Sequence, residues 1–173
     1  MPEVDNGLLI IVSGPAGSGK TTLCDRLLSD VENVQRVVTS TTRAMREGEQ
    51  HGVDYYFFSP QEFEQKIAEG AFYEYAKVHQ RYYGSLKQEI DSKLSDSIDL
   101  LLNVDVQGPD AFRHAANSNP GLADRLVTIF IQPQSLEQLR ERLETRGDDD
   151  EAEIERRMQS ARMEMEHAHK YDH

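Results

Sequence analysis

Lys20 and Thr21 close a stretch, Gly14-Pro15-Ala16-Gly17-Ser18-Gly19-Lys20-Thr21, that fits G-x-x-x-x-G-K-[ST] throughout. Its glycines let backbone N–H groups turn inward around an anion, and the positive end of a following helix adds to them. In such a loop the lysine reaches the β- and γ-phosphates of a nucleoside triphosphate, and the hydroxyl binds Mg²⁺. Gly14, Pro15, Ala16, Gly17, Ser18, Gly19, Lys20, Thr21 and Thr22 are therefore candidate phosphate-binding residues, with Lys20 the catalytic cation and Thr21 the metal ligand. The motif names no second substrate.

A second set of residues addresses that gap. It runs through Thr41-Thr42-Arg43-Ala44-Met45-Arg46, Gly48-Glu49 and His51-Gly52-Val53-Asp54-Tyr55. It continues through Phe72-Tyr73-Glu74-Tyr75, Tyr82-Tyr83-Gly84-Ser85 and Asp105-Val106-Gln107-Gly108. In order and spacing these segments resemble the guanylate kinases over nearly the whole chain. The resemblance implies ATP as phosphate donor with Mg²⁺, and GMP as acceptor. It implies that Arg43 and Arg46 offer planar forks to the GMP phosphate, with Tyr55 and Tyr83 adding hydroxyl donors. Guanine presents N1–H and N2–H₂ together, a donor pair that adenine lacks and one carboxylate can accept. Glu74 is the matching residue. Thr39, Ser85 and Asp105 fall where family members place further contacts to the base. Taken singly, each has a plainer reading. Two arginines three apart often lie on a solvated face, Tyr55 and Tyr83 could be packing aromatics, and Glu74 could be the exposed position of an alternating strand. His51 reads as a turn residue.

Leu136 to Met163 resembles the family's lid and flanking helices, and Arg146 and Arg157 match lid arginines that close on the transferring phosphates. Cations brought in by closure would stabilise charge on the equatorial oxygens, and closure would exclude competing water. Arg140, Arg142 and Arg156 read as helix-surface partners of nearby glutamates. Arg43 joins Lys20, Arg146 and Arg157 in the catalytic set. No strong general base is needed, because the acceptor phosphate is already ionised.

These residues need a scaffold. Leu8 to Val12 is a continuous apolar run ending in Ser13-Gly14-Pro15, a buried parallel strand entering a turn. A helix is expected from Gly19, a strand over Arg36–Thr41, strands over Asp54–Phe58 and Ala71–Val78, and a helix over Pro60–Glu69 between them. Ser85–Leu94 reads as a helix, Asp99–Val106 and Leu126–Ile131 as buried strands, and Ser135–Glu144 and Asp150–Lys170 as helices. Long apolar strands alternating with helices give an α/β fold. The expected architecture is a three-layer P-loop kinase core with a parallel sheet, residues 1–38 and 91–135. Added to it are a small mixed α/β GMP-binding insertion, 39–90, a helical lid, 136–158, and a last core helix, 159–173.

The sequence departs from the family at three places. Asn103 stands where the family shows the first acid of Asp-x-Asp, which leaves Mg²⁺ to Thr21, phosphates and water. Thr39 replaces a usual serine and keeps the hydroxyl. Family members continue beyond Tyr171-Asp172-His173 into a core strand and helix, so that segment is expected to be missing.

Composition narrows the classes. The 173 residues carry a net charge of −12, which argues against a large nucleic-acid face, since phosphate backbones demand clustered Lys and Arg. Cys24 is the only cysteine, so no intramolecular disulfide forms, and a reducing cytoplasmic compartment fits. The apolar run after Asn6 is too short for a membrane span or signal core. No His/Cys cluster suggests a metal other than Mg²⁺. Two rival readings share the scaffold: a phosphopeptide-binding module with a degraded ATP site, which Lys20 and Thr21 oppose, and a sugar-phosphate kinase, which Glu74 opposes.

Overall fold

The computed structural model describes residues 7–147 and 149–173, and for Arg146 the backbone alone. In chain order the first half comprises β1 (Leu9–Ser13), α1 (Lys20–Asp30), β2 (Val34–Arg36), β3 (Ser40–Thr41), β4 (Tyr56–Phe57), α2 (Pro60–Ala68), β5 (Phe72–Val78) and β6 (Arg81–Leu86). The second half comprises α3 (Lys87–Ser95), β7 (Asp99–Asn103), α4 (Gly108–Asn117), α5 (Pro120–Ala123), β8 (Leu126–Phe130), α6 (Leu136–Arg146) and α7 (Glu151–Met165), then a 3₁₀ turn at Ala168–Lys170.

β2, β7, β1 and β8 form a parallel sheet in that order. Its central strands are apolar on both faces, as a sheet covered on both sides requires. Leu9, Ile11, Leu100 and Leu102 pack against Ile90 and Leu94 of α3 and Phe112 of α4. Val12 and Leu101 face the other way, onto Cys24 and Leu27 of α1. The result is three layers, as expected. Each fully buried Leu or Ile in it contributes about 1.5–3 kcal/mol.

A second, mixed sheet has the order β4-β3-β6-β5. It packs on α2, whose Phe63 is wholly buried and stacks on Phe72 at 4.4 Å and Tyr82 at 5.1 Å. Ser59 caps this helix reciprocally with Glu62, and Pro60 takes the first helical position. α6 and α7 share their own small core of Leu139, Leu143, Ile154, Met158 and Ala161.

Three expectations are corrected. Arg36–Thr41 is not one strand: β2 belongs to the first sheet and β3 to the second. Val37 still donates to Leu101 O at 3.0 Å, but Ser40 pairs with Gly84. A β-rich run does not reveal a change of sheet, because propensity reports half-burial and not the partner. Ser85–Leu94 is not wholly helical: Arg81–Leu86 forms β6, and α3 starts at Lys87. The β5–β6 hairpin turns at His79 and Gln80 with φ of 46° and 66°. Neither residue is Gly or Asn, so the usual sequence signal of such a turn is missing. Finally, α4 and α5 lie in a stretch for which no element was predicted, and the long last helix breaks after Met165.

The β5–β6 register slips between Phe72 and Glu74: Phe72 pairs with Leu86 and Glu74 with Ser85, leaving Tyr73 as an extra residue. Phe72 and Tyr75 come within 6.2 Å of each other, so Tyr73 and Glu74 share the opposite side. At the far edge of the first sheet, Phe130 N donates to His173 O at 2.9 Å, and Asp172 accepts from Thr128 N at 2.8 Å.

Candidate active site

The loop between β1 and α1 is built by backbone. Gly14 has φ 142°, and a Cβ there would lie 2.3 Å from Ile131 O. Gly19 precedes α1 at φ 98°, in the left-handed region that an L side chain resists. Lys20 folds back on this loop, its Nζ donating to Gly14 O at 2.5 Å and Pro15 O at 2.8 Å. The Ser18 hydroxyl is buried without a partner among the described residues.

Two clefts meet here. One, of about 1230 Å³, runs from Ala16 through Leu23 to Gln138, Arg142 and Thr145 of α6. Thr21 and Thr22 line it. The other, of about 950 Å³, lies between the two sheets and gathers Thr39, Tyr55, Glu74, Tyr83, Asn103 and Asp105. Lys20 is the one described residue that lines both.

Within the second cleft, Ser85 lies behind Glu74, fully buried, and its hydroxyl donates to Glu74 Oε1 at 2.7 Å. Burial pushes the Glu74 carboxyl above its usual range, with the Ser85 hydrogen bond opposing and Asp105 reinforcing the shift. Burial likewise pulls the Lys20 ammonium down, against the attraction of Glu164 and Asp105. Lys20 thus sits in a partly desolvated wall, where its attraction for an anionic ligand is screened less than in bulk water, while the carboxylates of Glu164 and Asp105 oppose that attraction.

Some expected members lie apart. Arg43 does not line the cleft but stands behind Tyr55, its Cζ 5.4 Å from that ring centre. It is 8% exposed and ion-paired to Glu49. Arg46 is exposed on the same loop. Arg157 lies against Asp149 at 2.8 Å and Glu153 at 3.3 Å and lines neither cleft. The side chain of Arg146 is outside the described residues.

Two residues extend the expected set. Arg142 was read as a partner of surface glutamates, but its Nη1 donates to Ser18 O at 3.3 Å, which ties α6 to the phosphate loop. Arg140 and Arg156 do pair with glutamates: Arg140 with Glu144 at 2.9 Å and Arg156 with Glu153 at 2.5 Å. Glu164 lines the cleft opposite Lys20. The signal was present, since Ser160, Met163, Glu164 and His167 follow i, i+3, i+4, i+7 and form one face of the last helical segment toward the cleft. Among the described residues no helix is long and apolar enough to cross a membrane.

Comparison with known proteins identifies the family. The family model described as guanylate kinase matches residues 6–173. A guanylate kinase from Chlorobium chlorochromatii is 42% identical over 167 residues, 96% of this chain and 85% of its own. One from Rickettsia felis is 40% identical over 169 residues, covering 98% and 84%. One from Chromohalobacter salexigens is 44% identical over 167 residues, covering 96% and 74%. The crystal structure of guanylate kinase from Anaplasma phagocytophilum superposes with a TM-score of 0.67 at 30% identity, over 97% of this chain and 75% of that one. With a family model that matches residues 6–173 and relatives 40–44% identical over nearly all of its length, this chain belongs to the guanylate kinase family.

Proposed function

We propose that the chain transfers the γ-phosphate of ATP to GMP, giving ADP and GDP. The observation that carries this is the position of Lys20, which lines both clefts. One cleft is walled by the phosphate loop and suits a triphosphate. The other holds the Glu74 carboxylate at the depth of a nucleobase pocket. A donor and an acceptor seated in them would bring their phosphates together at one cation.

In this reading a GMP phosphate oxygen attacks the γ-phosphorus, and the bond to the β–γ bridging oxygen breaks as ADP leaves. Lys20 neutralises charge that builds on the transferring oxygens, and the loop N–H groups hold the β-phosphate. Arg43, Arg46, Tyr55 and Tyr83 hold the GMP phosphate in line. Glu74 accepts from guanine N1–H and N2–H₂, with Ser85 fixing the carboxylate and Thr39 and Asp105 completing the base pocket. Arg146 and Arg157 join when the helical lid closes. Water is excluded at that stage, and GMP becomes the only acceptor.

Mg²⁺ fits the donors available. Thr21 offers a hydroxyl, and Asn103 and Asp105 offer further hard oxygens near Lys20. Among the described residues no three His, Cys, Asp or Glu gather to cage an ion, which suits a metal held chiefly by phosphates and water. Bound there, Mg²⁺ would neutralise charge on the β- and γ-phosphates. A single thiol, Cys24, agrees with the cytoplasm as working compartment.

A coupled assay with GMP, AMP, CMP and UMP tests the proposal. GMP is expected to be used far faster than the others. Equal rates with AMP would remove the role given to Glu74.

A further inference from the structure

Glu49 was not assigned a role above, yet it makes more contacts to Arg43 than any other residue does. A guanidinium carries five N–H groups in one plane. Arg43 Nη1 donates to Glu49 Oε2 at 2.9 Å and to Ala44 O at 2.8 Å, and Nη2 donates to Glu49 Oε1 at 2.6 Å. That accounts for three of the five. The Glu49 carboxylate takes the far end of the fork, and the Ala44 carbonyl takes the outer side of Nη1. Among the described residues nothing accepts from Nε–H or the second Nη2–H. In a planar guanidinium those two groups point the same way along one edge. They form a second two-pronged donor, spaced for two oxygens of one phosphate.

The same carboxylate orders the loop. Arg46 N donates to Glu49 Oε2 at 2.7 Å, and Glu49 N donates to Arg46 O at 3.1 Å. The Arg43 guanidinium is held in turn over the rings of Tyr55 at 5.4 Å and Phe57 at 5.6 Å. Arg43 thereby has little freedom left. The hydrogen bond from Arg43 and the backbone donor at Arg46 hold the Glu49 carboxyl below its usual range, so it stays ionised at neutral pH.

We infer that Glu49 is a positioning residue. It occupies one fork of Arg43 so that the other is presented, already oriented, to the acceptor phosphate. This rests on the reading of Arg43 as a phosphate contact. It differs from a competitive role, in which Glu49 would block Arg43 and have to leave before phosphate could bind.

The test is calorimetry of GMP and of guanosine, which lacks the phosphate, on wild type, Glu49→Gln, Glu49→Asp, Arg43→Ala and the double variant Glu49→Gln/Arg43→Ala. Glu49→Gln is expected to weaken GMP roughly tenfold, because Arg43 must then be ordered on binding, and Glu49→Asp to recover part of that. Guanosine affinity should hold in both. The loss should fall on KM for GMP and not on KM for ATP, and the double variant should be no weaker than Arg43→Ala alone. GMP binding that is unchanged or tighter in Glu49→Gln, while Arg43→Ala weakens it, overturns the positioning role alone. Additive losses in the double variant overturn it too. If Arg43→Ala leaves GMP affinity intact, the phosphate contact itself is wrong.

Discussion

The cleft beside the phosphate loop and the cleft under the second sheet are built by opposite means. The first takes its anion site from backbone groups of one unbroken segment, Gly14 to Thr21, shaped by glycines at positive φ. The second draws Thr39, Tyr55, Glu74, Tyr83 and Asp105 from separate elements and depends on side chains. A backbone site recognises what all nucleotides share, which is phosphate. A side-chain site distinguishes one base from another, because leaving a buried carboxylate without its donors costs far more than losing one exposed contact. On the proposed function, generality and specificity are thus divided between the two clefts.

Substitutions at each cleft can separate these roles. Lys20→Ala should lower kcat on the order of 10³-fold, while calorimetry finds a far smaller loss of GMP affinity, because Lys20 is only one of the residues lining the acceptor cleft. A parallel collapse of GMP binding would mean the clefts are not separable. Glu74→Gln should do the reverse: kcat/KM for GMP falls on the order of 10²-fold, and the loop's affinity for ATP is retained.

Glu74 also links function to pH. Burial raises its pKa, so folded Glu74 holds a proton at a pH where the unfolded chain has already lost it. Stability from this group therefore increases as pH falls through that window, and at neutral pH its ionised form is a burden on the fold. GMP affinity moves the other way, falling as the carboxylate takes up a proton. Glu74→Gln should match or exceed the wild-type Tm at pH 7, and its affinity for guanosine, which has no titrating phosphate, should lose the pH dependence that the wild type shows. A lower Tm in that variant would show that the buried charge is well compensated.

Gly14→Ala tests the backbone side. With φ at 142° and Ile131 O in the way, the variant should lose about 2–4 kcal/mol in denaturant unfolding. Full stability would mean that the loop tolerates a side chain there. The smallest effect is expected at Asn103→Asp, which adds a carboxylate near Lys20. The Mg²⁺ concentration for half-maximal rate should drop roughly three- to tenfold. No change would place the metal wholly on Thr21 and the phosphates.

This division also explains how much was legible in the sequence. Gly14 to Thr21 is contiguous, so a pattern finds it without knowledge of the fold. The buried strands β1, β7 and β8 were visible because their faces are both apolar. Glu74 and Ser85 lie eleven positions apart and become a pair only across a hairpin whose turn, His79–Gln80, carries no recognisable residue. That is why the end of β6, Ser85 and Leu86, was taken for the start of a helix, and why resemblance had to supply what periodicity could not. The contact of Arg142 with the phosphate loop and the tie between Glu49 and Arg43 were missed for a related reason. Charged side chains on helices and loops are usually solvated, and only the tertiary neighbours, Ser18 O and the Arg43 fork, distinguish these two.

The extra residue in β5 bears on how such a pocket can change. Tyr73 turns to Phe112 at 5.3 Å and to Asp91 at 2.5 Å, Phe72 turns to Phe63, and Glu74 turns to the cleft. Three neighbours along one strand therefore answer to three different environments. Given the role proposed for Glu74, a lineage that exchanges only the third would alter which base is preferred and leave both aromatic clusters undisturbed. Deleting a single residue here would be far more damaging, because the bulge would be lost and one of the three environments would lose its side chain. Ligand preference in this strand is open to point mutation and closed to changes of length.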